Sequence, residues 1–131
     1  MQLLTPVSPG ELLDKLSILD IKAERMTDPG KRANVQRERE LLDRVWQASG
    51  LETAEIVELR KQLKGINEQL WEIEDAIREE ERHRRFGDRF IELARSVYVT
   101  NDERAAVKKA INQALDSEIV EEKSYRDYRP D

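Results

Sequence analysis

A chain of 131 residues has the length of one domain, and residues 1–131 are predicted to form a single one. Charged residues make up 39% of the chain and aromatic residues 5%, a composition that favours exposed helices with interleaved ion pairs over a β-sheet. The net charge of −5 comes from mixed signs and not from blocks of one sign, so no basic face large enough for a phosphate backbone is expected. Nucleic acid is therefore not among the expected partners, although the sequence leaves room for a local basic patch.

The first two helices are predicted from their capping residues. After an N-terminal arm, residues 1–8, a capping serine, a proline at the first helical position and a glutamate two residues later open helix 1, which is expected from about Pro9 to about Met26. A second cap-then-proline pattern opens helix 2, and a serine–glycine pair ends it, at Asp28-Pro29 and at Ser49-Gly50.

Helix 3 is predicted from a strict heptad repeat near the middle of the chain. Apolar residues recur at alternating steps of three and four, at Ile56, Leu59, Leu63, Ile66, Leu70, Ile73 and Ile77. A repeat of 3.5 residues keeps one seam of a helix against a partner when the two helices wind around each other with a left hand. We therefore expect one long helix, from near Thr53 to Arg85, in a coiled-coil contact.

Two shorter helices and a strap are predicted for the C-terminal third of the chain. Asp88 is expected to cap helix 4, and a capping box at Thr100-Asn101-Asp102-Glu103 is expected to open helix 5. From residue 117 to residue 131 the periodicity fades into a strap that Ile119, Val120 and Tyr125 would anchor. The fold class is therefore all-α: an elongated helical hairpin or bundle with helix 3 as its spine and two shorter C-terminal helices.

Helix 1 has a second face beside its main leucine stripe. Asp14, Ile18, Ile21 and Arg25 lie on this face and are the candidate interface residues. A helix that is apolar on two sides is either buried on both sides by its own chain or forms a seam between two copies, and the sequence leaves both interpretations open.

Two groups of polar residues are candidates for a ligand site. One group forms a row on helix 3 away from the heptad seam, and the other surrounds the predicted junction of helices 4 and 5, where a free helix N-terminus would favour an anion. The candidate ligand-binding residues are Asn67, Trp71, Glu74, Arg78, Glu92, Arg95, Asn101 and Asp102.

Metal and cofactor chemistry has little support in the sequence. One histidine, His83, and no cysteine make a zinc site improbable, and no cofactor is predicted. The carboxylates of Glu72, Asp75 and Glu79 step along helix 3 at a spacing that suits magnesium, with Glu92 or Asp102 as a facing ligand. This arrangement is similar to that of all-α nucleotide pyrophosphatases, but the ordered sequence elements of that family are absent.

Several segments together resemble a family of small bacterial and phage helical proteins of unknown function. They are Ser8–Leu16, Ile66–Asp75, Phe90–Tyr98, Thr100–Asp102 and Glu121–Tyr125. The resemblance covers nearly the whole chain and implies one complete domain, a bacterial or phage origin and a genomic association with surface-polysaccharide genes. It implies no activity, cofactor or catalytic residue.

Two functions are compatible with these observations. The first is a non-catalytic helical protein–protein interaction module that associates with itself or with a partner protein, as the heptad and the second face of helix 1 suggest. The second is a binding or enzymatic site for a small anionic or phosphorylated metabolite, with magnesium as an optional requirement. A cytoplasmic location is expected, because cysteine is absent, no signal peptide is recognised and no apolar stretch approaches the ~20 residues of a membrane span.

Overall fold

Four α-helices make up the fold. The structure, a computed structural model, describes residues 1–130, and Asp131, the last residue of the predicted strap, lies outside the described residues. The helices are α1 (Pro9–Arg25), α2 (Pro29–Ser49), α3 (Ala54–Arg82) and α4 (Asp88–Ala114). No strand occurs within residues 1–130, which confirms the all-α class.

Local capping chemistry starts three of the helices, two of them at the predicted caps Ser8 and Asp28. The side chains of Ser8, Asp28 and Thr53 each accept a hydrogen bond from the backbone N–H three residues further on, at 3.1, 2.8 and 3.2 Å. Each bond satisfies one of the N–H groups that have no partner inside the helix. Gly50 follows α2 in the left-handed region, at φ 66°, where a residue with a side chain would be strained.

The C-terminal third contains one helix where two were predicted. α4 runs without a break through 27 residues, and Thr100 is buried in its interior. A capping box starts a helix only where the preceding chain has left the helical conformation, and the segment from Asp88 to Ala114 holds no glycine or proline to cause this. The predicted start of helix 5 is therefore wrong. So is the predicted cap at Asp88, because Asp88 is itself the first residue of α4 and Gly87 precedes it without a side-chain bond.

Two helices, α1 and α3, contribute most of the helix packing. α1 packs against each of the other three helices, and α3 packs extensively against α4. α2 lies along α1 and also contacts α3 through Trp46, whose ring centre is 5.9 Å from the Arg60 guanidinium. The core cluster is drawn from all four helices and comprises Leu12, Leu13, Leu16, Trp46, Ile56, Leu63 and Ile111. Burying a short helix on several sides explains why apolar residues occur around most of its circumference.

The heptad residues of α3 are buried to different extents. Ile56 and Leu63 have no exposed surface, while the other five members are half-buried. α3 itself ends at Arg82, three residues earlier than predicted, and is about 43 Å long at 1.5 Å per residue. Within residues 1–130 no helix combines the length and the apolar character that crossing a membrane requires.

Candidate functional site

A non-helical strap, residues 117–130, follows α4 after a tight reversal of the chain. The N–H of Ser117 donates to the carbonyl of Asn112 at 2.9 Å, and the N–H of Asp116 donates to that of Gln113 at 3.2 Å. Together with the left-handed Asp116, at φ 50°, these bonds form a Schellman motif. The reversal turns the chain back beside the helix that it has just left.

The strap runs antiparallel to α4. The Lys123 ammonium donates to the Asp102 carboxylate, and further along the strap the Tyr128 ring lies 5.1 Å, centre to centre, from the ring of Tyr98. Successive contacts of the strap thus move towards the start of α4. An extended segment held in this way forms one wall of a groove whose other wall is the helix.

The predicted apolar anchors contribute little to holding the strap. Ile119 is half-buried, but Val120 and Tyr125 are exposed, so the prediction of apolar anchoring is wrong for these two. A polar contact replaces them: the hydroxyl of Ser8 donates to the carboxylate of Glu121. The strap is therefore fastened to the start of α1 as well as to α4.

The groove between α4 and the strap has a volume of about 1010 Å³. Its walls carry three tyrosines and equal numbers of basic and acidic side chains. The tyrosines are Tyr98, Tyr125 and Tyr128, the basic residues Arg104, Lys108, Lys109, Lys123 and Arg126, and the acidic residues Glu11, Asp102, Asp116, Glu121 and Glu122. Pairing among these charges decides which of them are available to a ligand.

Four of the groove charges remain unpaired. Within residues 1–130, Lys109 and Arg126 have no carboxylate within 4.0 Å, and Asp116 and Glu122 have no cationic partner within that distance. The other charged side chains of the lining are held in ion pairs. The groove thus offers two free cations and two free carboxylates.

A buried ion pair lies beneath the groove. The Asp14 carboxylate is only 1% exposed and accepts two hydrogen bonds from Arg104, one of them from Nε at 2.9 Å. Asn67 completes the network, since its Nδ2 donates to Asp14 Oδ1 at 3.0 Å and to Ser17 Oγ at 2.7 Å. These bonds to Asp14 raise the pKa of Arg104, although burial acts in the opposite direction. The network fixes the Arg104 guanidinium in place.

Lys108 connects the buried network to the strap. Its ammonium lies 2.6 Å from Glu11, 3.5 Å from Glu121 and 4.0 Å from Asp14. Burial alone would lower the pKa of Lys108, but the hydrogen bond to Glu11 and the charges of all three carboxylates outweigh it, and the pKa is raised. Lys108 therefore stays charged and is committed to holding α1, α4 and the strap together.

The predicted ligand residues do not converge on one place. Asn101 and Asp102 line the groove, and Asn67 lies in the buried network. The remaining five lie outside the groove lining: Glu74 and Arg78 form an exposed pair at 2.7 Å, Glu92 lies 4.0 Å from Arg89, Arg95 is exposed and Trp71 is half-buried. The expected anion site at the start of helix 5 is wrong, because no helix begins there.

The candidate interface residues on α1 are largely used within the chain. Asp14 and Ile21 are each 1% exposed, so neither can reach a partner surface. Ile18 is half-buried, and Arg25 is exposed with Glu68 at 3.7 Å and Glu72 at 3.4 Å. The second face of helix 1 is thus covered mainly by the other helices of the same chain.

Sequence reasoning missed Lys108 and Glu121. A usable signal was nevertheless present, because Glu11 and Asp14 are one turn apart on α1 while Arg104 and Lys108 are one turn apart on α4. Matched pairs of opposite charge on two helices indicate that their faces meet. No comparable signal marks Glu121, since the strap has no periodicity.

The carboxylate row proposed for magnesium does not become a metal cluster. In the part of the chain that the structure describes, no group of three or more histidine, aspartate or glutamate side chains is arranged to hold a metal ion. Glu72, Asp75 and Glu79 are all exposed on α3.

Comparison with known proteins agrees with the resemblance read from the sequence. No curated protein and no solved structure matched the chain. One family model matches, that of a family of unknown function (DUF6165), and its match includes the arm from residue 3, all four helices and the strap. The predicted membership of an uncharacterised family is confirmed. Since the match covers residues 3–129, the chain belongs to the family of unknown function DUF6165.

Proposed function

We propose that the protein is a non-catalytic binding module whose groove, between α4 and the strap, holds a small anionic or phosphorylated metabolite. The groove volume of about 1010 Å³ is at the upper end of the range for small-molecule sites. The observation that carries the proposal is the pair of unpaired cations, Lys109 and Arg126, on the groove wall.

The chemistry of the ligand follows from the free charges. Lys109 and Arg126 attract an anionic group, and an arginine side chain can grip a phosphate or a carboxylate with two parallel hydrogen bonds. Asp116 and Glu122 accept hydrogen bonds from hydroxyl or amine groups. A metabolite that carries both an anionic group and such donors fits the groove better than a bare inorganic anion does.

Tyrosines supply the apolar part of the groove wall. Tyr98 and Tyr128 contact each other, and Tyr125 is exposed beside them. A tyrosine ring combines a flat apolar face with a polar tip, so it can cover a ring of the ligand and still bond to its substituents. The same groups are suited to binding without reaction.

A catalytic role has less support than binding. The groove lining contains no histidine or cysteine among the described residues, and the hydroxyl of Ser117 donates to the carbonyl of Ile119 at 2.8 Å. Nucleophilic catalysis requires a nucleophile within hydrogen-bond reach of a base, and Ser117 is bonded to a backbone group instead.

A thermal-shift screen tests the groove. The panel contains sugar phosphates, nucleotides, nucleotide sugars and dicarboxylic acids, each with and without magnesium. A ligand present at 100 times its dissociation constant adds about 2.7 kcal/mol to the free energy of unfolding, which raises the melting temperature by several degrees in a domain of this size. We expect one compound class to give a saturable shift that is lost in Lys109→Gln and in Arg126→Gln.

The matched control is Lys31→Gln, which removes one positive charge from an exposed position on α2. It should retain the full shift. A ligand that shifts both groove variants as strongly as the unchanged protein would show that it binds elsewhere. A panel without any saturable shift would remove the support for a metabolite of these classes.

We also propose that the heptad seam of α3 closes within the chain. Complete burial of Ile56 and Leu63 in one copy supports this, as does the packing of α3 against both α1 and α4. The seam then needs no second copy to cover it at these two positions.

One observation favours a second function, that of a self-associating interaction module. α2 packs mainly along α1, and Leu41 and Val45, one turn apart on α2, are 44% and 57% exposed. An apolar pair of this kind on a helix can join a symmetric contact between two copies.

A further inference from the structure

The turn between α3 and α4 differs in charge from the rest of the molecule. Residues 82–91, which we call the basic tip, contain four arginines and one aspartate and so carry +3, with the single histidine counted as neutral. Since the whole chain carries −5, the other 121 residues carry −8. Every residue of the basic tip except Phe90 is exposed. The turn is therefore a small positive region, in which Arg85 pairs with Glu80 and Arg89 lies 4.0 Å from Glu92. Arg82 and Arg84 have no ion pair within residues 1–130.

The backbone of the basic tip holds an arginine where glycine is the usual residue. α3 ends in a Schellman motif, in which Arg85 N–H donates to the Glu80 carbonyl at 2.9 Å and Arg84 N–H donates to that of Glu81 at 3.0 Å. Arg84 takes the left-handed position, at φ 53°, which strains a residue with a side chain. Its guanidinium forms no ion pair within residues 1–130, so the Arg84 side chain contributes no salt bridge that offsets this strain.

Apolar side chains project from the same turn. Phe86 is 53% exposed and Ile91 52%, and the Phe86 ring meets that of Phe90 edge to face at 5.3 Å. Arginines beside exposed aromatic and aliphatic groups match the boundary of a bilayer, where phosphate headgroups lie next to acyl chains. Neither a purely ionic partner nor a purely apolar one would use both kinds of group.

We propose that the basic tip binds the surface of an anionic lipid bilayer, with the unpaired Arg82 and Arg84 on the headgroup phosphates and Phe86 at the acyl boundary. This contact is peripheral, and the negative remainder of the molecule is repelled by the same surface, so only the tip attaches. The proposal concerns a different part of the molecule from the groove and is independent of it.

A nucleic acid fits the basic tip less well. The tip spans one turn only, and exposed carboxylates flank it at Glu79, Glu81 and Glu92, where an extended phosphate backbone would be repelled. A bilayer, in contrast, needs to touch the molecule at the tip alone.

Flotation of the full chain with lipid vesicles tests the proposal. We expect binding to vesicles of phosphatidylcholine mixed with phosphatidylglycerol, weakening as salt is added, and little binding to vesicles of phosphatidylcholine alone. Arg84→Gly removes one charge and also relieves the left-handed strain. It should therefore weaken binding about fivefold, the factor equivalent to the ~1 kcal/mol of one basic residue at an anionic surface, without lowering the melting temperature.

Two further variants complete the experiment. Phe86→Ala should weaken vesicle binding while leaving its dependence on salt unchanged, and Arg32→Gln, which removes one charge from an exposed position on α2, should bind as the unchanged protein does. Equal binding to both kinds of vesicle, or undiminished binding by Arg84→Gly, would overturn the proposal. So would binding to single-stranded RNA or polyglutamate in place of vesicles, which would assign the tip to another class of partner.

Discussion

Gly10 lies against α4 with no room for a side chain. Its N–H donates to Asn112 Oδ1 at 2.7 Å, and a Cβ atom at this position would lie 2.6 Å from the carbonyl oxygen of Lys108. A backbone atom cannot turn aside as a flexible side chain can, so a substitution here must push α1 and α4 apart. The approach of these two helices is what brings Lys108 to Glu11 and to the strap.

Gly10→Ala should therefore destabilise the protein by about 1–3 kcal/mol, the usual range for overpacking a close contact. Urea unfolding followed by circular dichroism measures the change. Gly65→Ala is the matched control: it lies inside α3 with nothing within 4 Å of its added Cβ, so the better helix propensity of alanine should stabilise the protein by about 0.5–1 kcal/mol. A Gly10→Ala protein as stable as the unchanged one would contradict the close approach.

Asp14 shows what a single residue can and cannot reveal before the fold is known. The spacing of residues along helix 1 predicts that Asp14 lies on the second face of that helix. The carboxylate of Asp14 can be buried because Arg104, 90 residues later, and Asn67 both donate hydrogen bonds to it. A buried charge is tolerated only when such partners are present. The role of Asp14 therefore depends on residues of α3 and α4 and cannot be inferred from α1 alone.

The continuity of α4 gives the sharpest test at the level of elements. If a helix began at Thr100, position 101 would be its first residue, where proline is well tolerated. Inside a continuous helix, proline removes a backbone hydrogen bond and clashes with the preceding turn, at a cost of about 3 kcal/mol or more. Asn101→Pro should therefore strongly lower both the helix content measured by circular dichroism and the melting temperature.

Ala54→Pro provides the comparison. Ala54 is the first residue of α3, directly after the capping Thr53, whose extended backbone suits the residue before a proline. This variant should keep the stability of the unchanged protein to within about 1 kcal/mol. Equal tolerance of proline at both positions would indicate that α4 is interrupted at Thr100.

Helix starts that depend on neighbouring residues could be predicted from the sequence, and those that depend on the surroundings could not. Ser8 and Asp28 act within their own first turn, so their pattern is sufficient. The residues from Thr100 to Glu103 have the same pattern, but Thr100 is buried by tertiary packing, which keeps the chain helical there. Capping residues indicate where a helix can begin, but tertiary packing determines whether the chain stays helical across that position.

At the scale of the whole molecule, the order of the helices along the chain did not reveal their arrangement. The longest helix was expected to be the spine, yet the 17-residue α1 contacts every other helix. Two of the eight candidate ligand residues, Asn101 and Asp102, line the groove, whereas its opposite wall is a strap without periodicity. Glu74 and Arg78 satisfy each other, so their row required no pocket.

Self-association is a property of the whole molecule and is tested separately from the groove. If two copies meet through α2, the mass measured by light scattering after size exclusion should rise towards that of a dimer as the protein is concentrated. Leu41→Lys combined with Val45→Lys should remove this rise, because two buried like charges would face each other across the symmetric contact.

The control for self-association carries the same added charge elsewhere on α2. Ala33→Lys combined with Gln47→Lys changes two exposed positions outside the apolar pair and should still associate. If light scattering gives the mass of a monomer at every concentration of the unchanged protein, the proposed interface on α2 is wrong.

The contact between Ser8 and Glu121 joins residues that are 113 positions apart, and this separation has a kinetic consequence. A bond that closes so long a loop can form only after the helices between its ends have assembled, and it can break while those helices stay folded. The strap can thus detach in a partial opening that is far more frequent than complete unfolding. Because the strap is one wall of the groove, each such opening removes that wall's contacts with a bound molecule, so the fastening of the strap would shorten or lengthen its residence time.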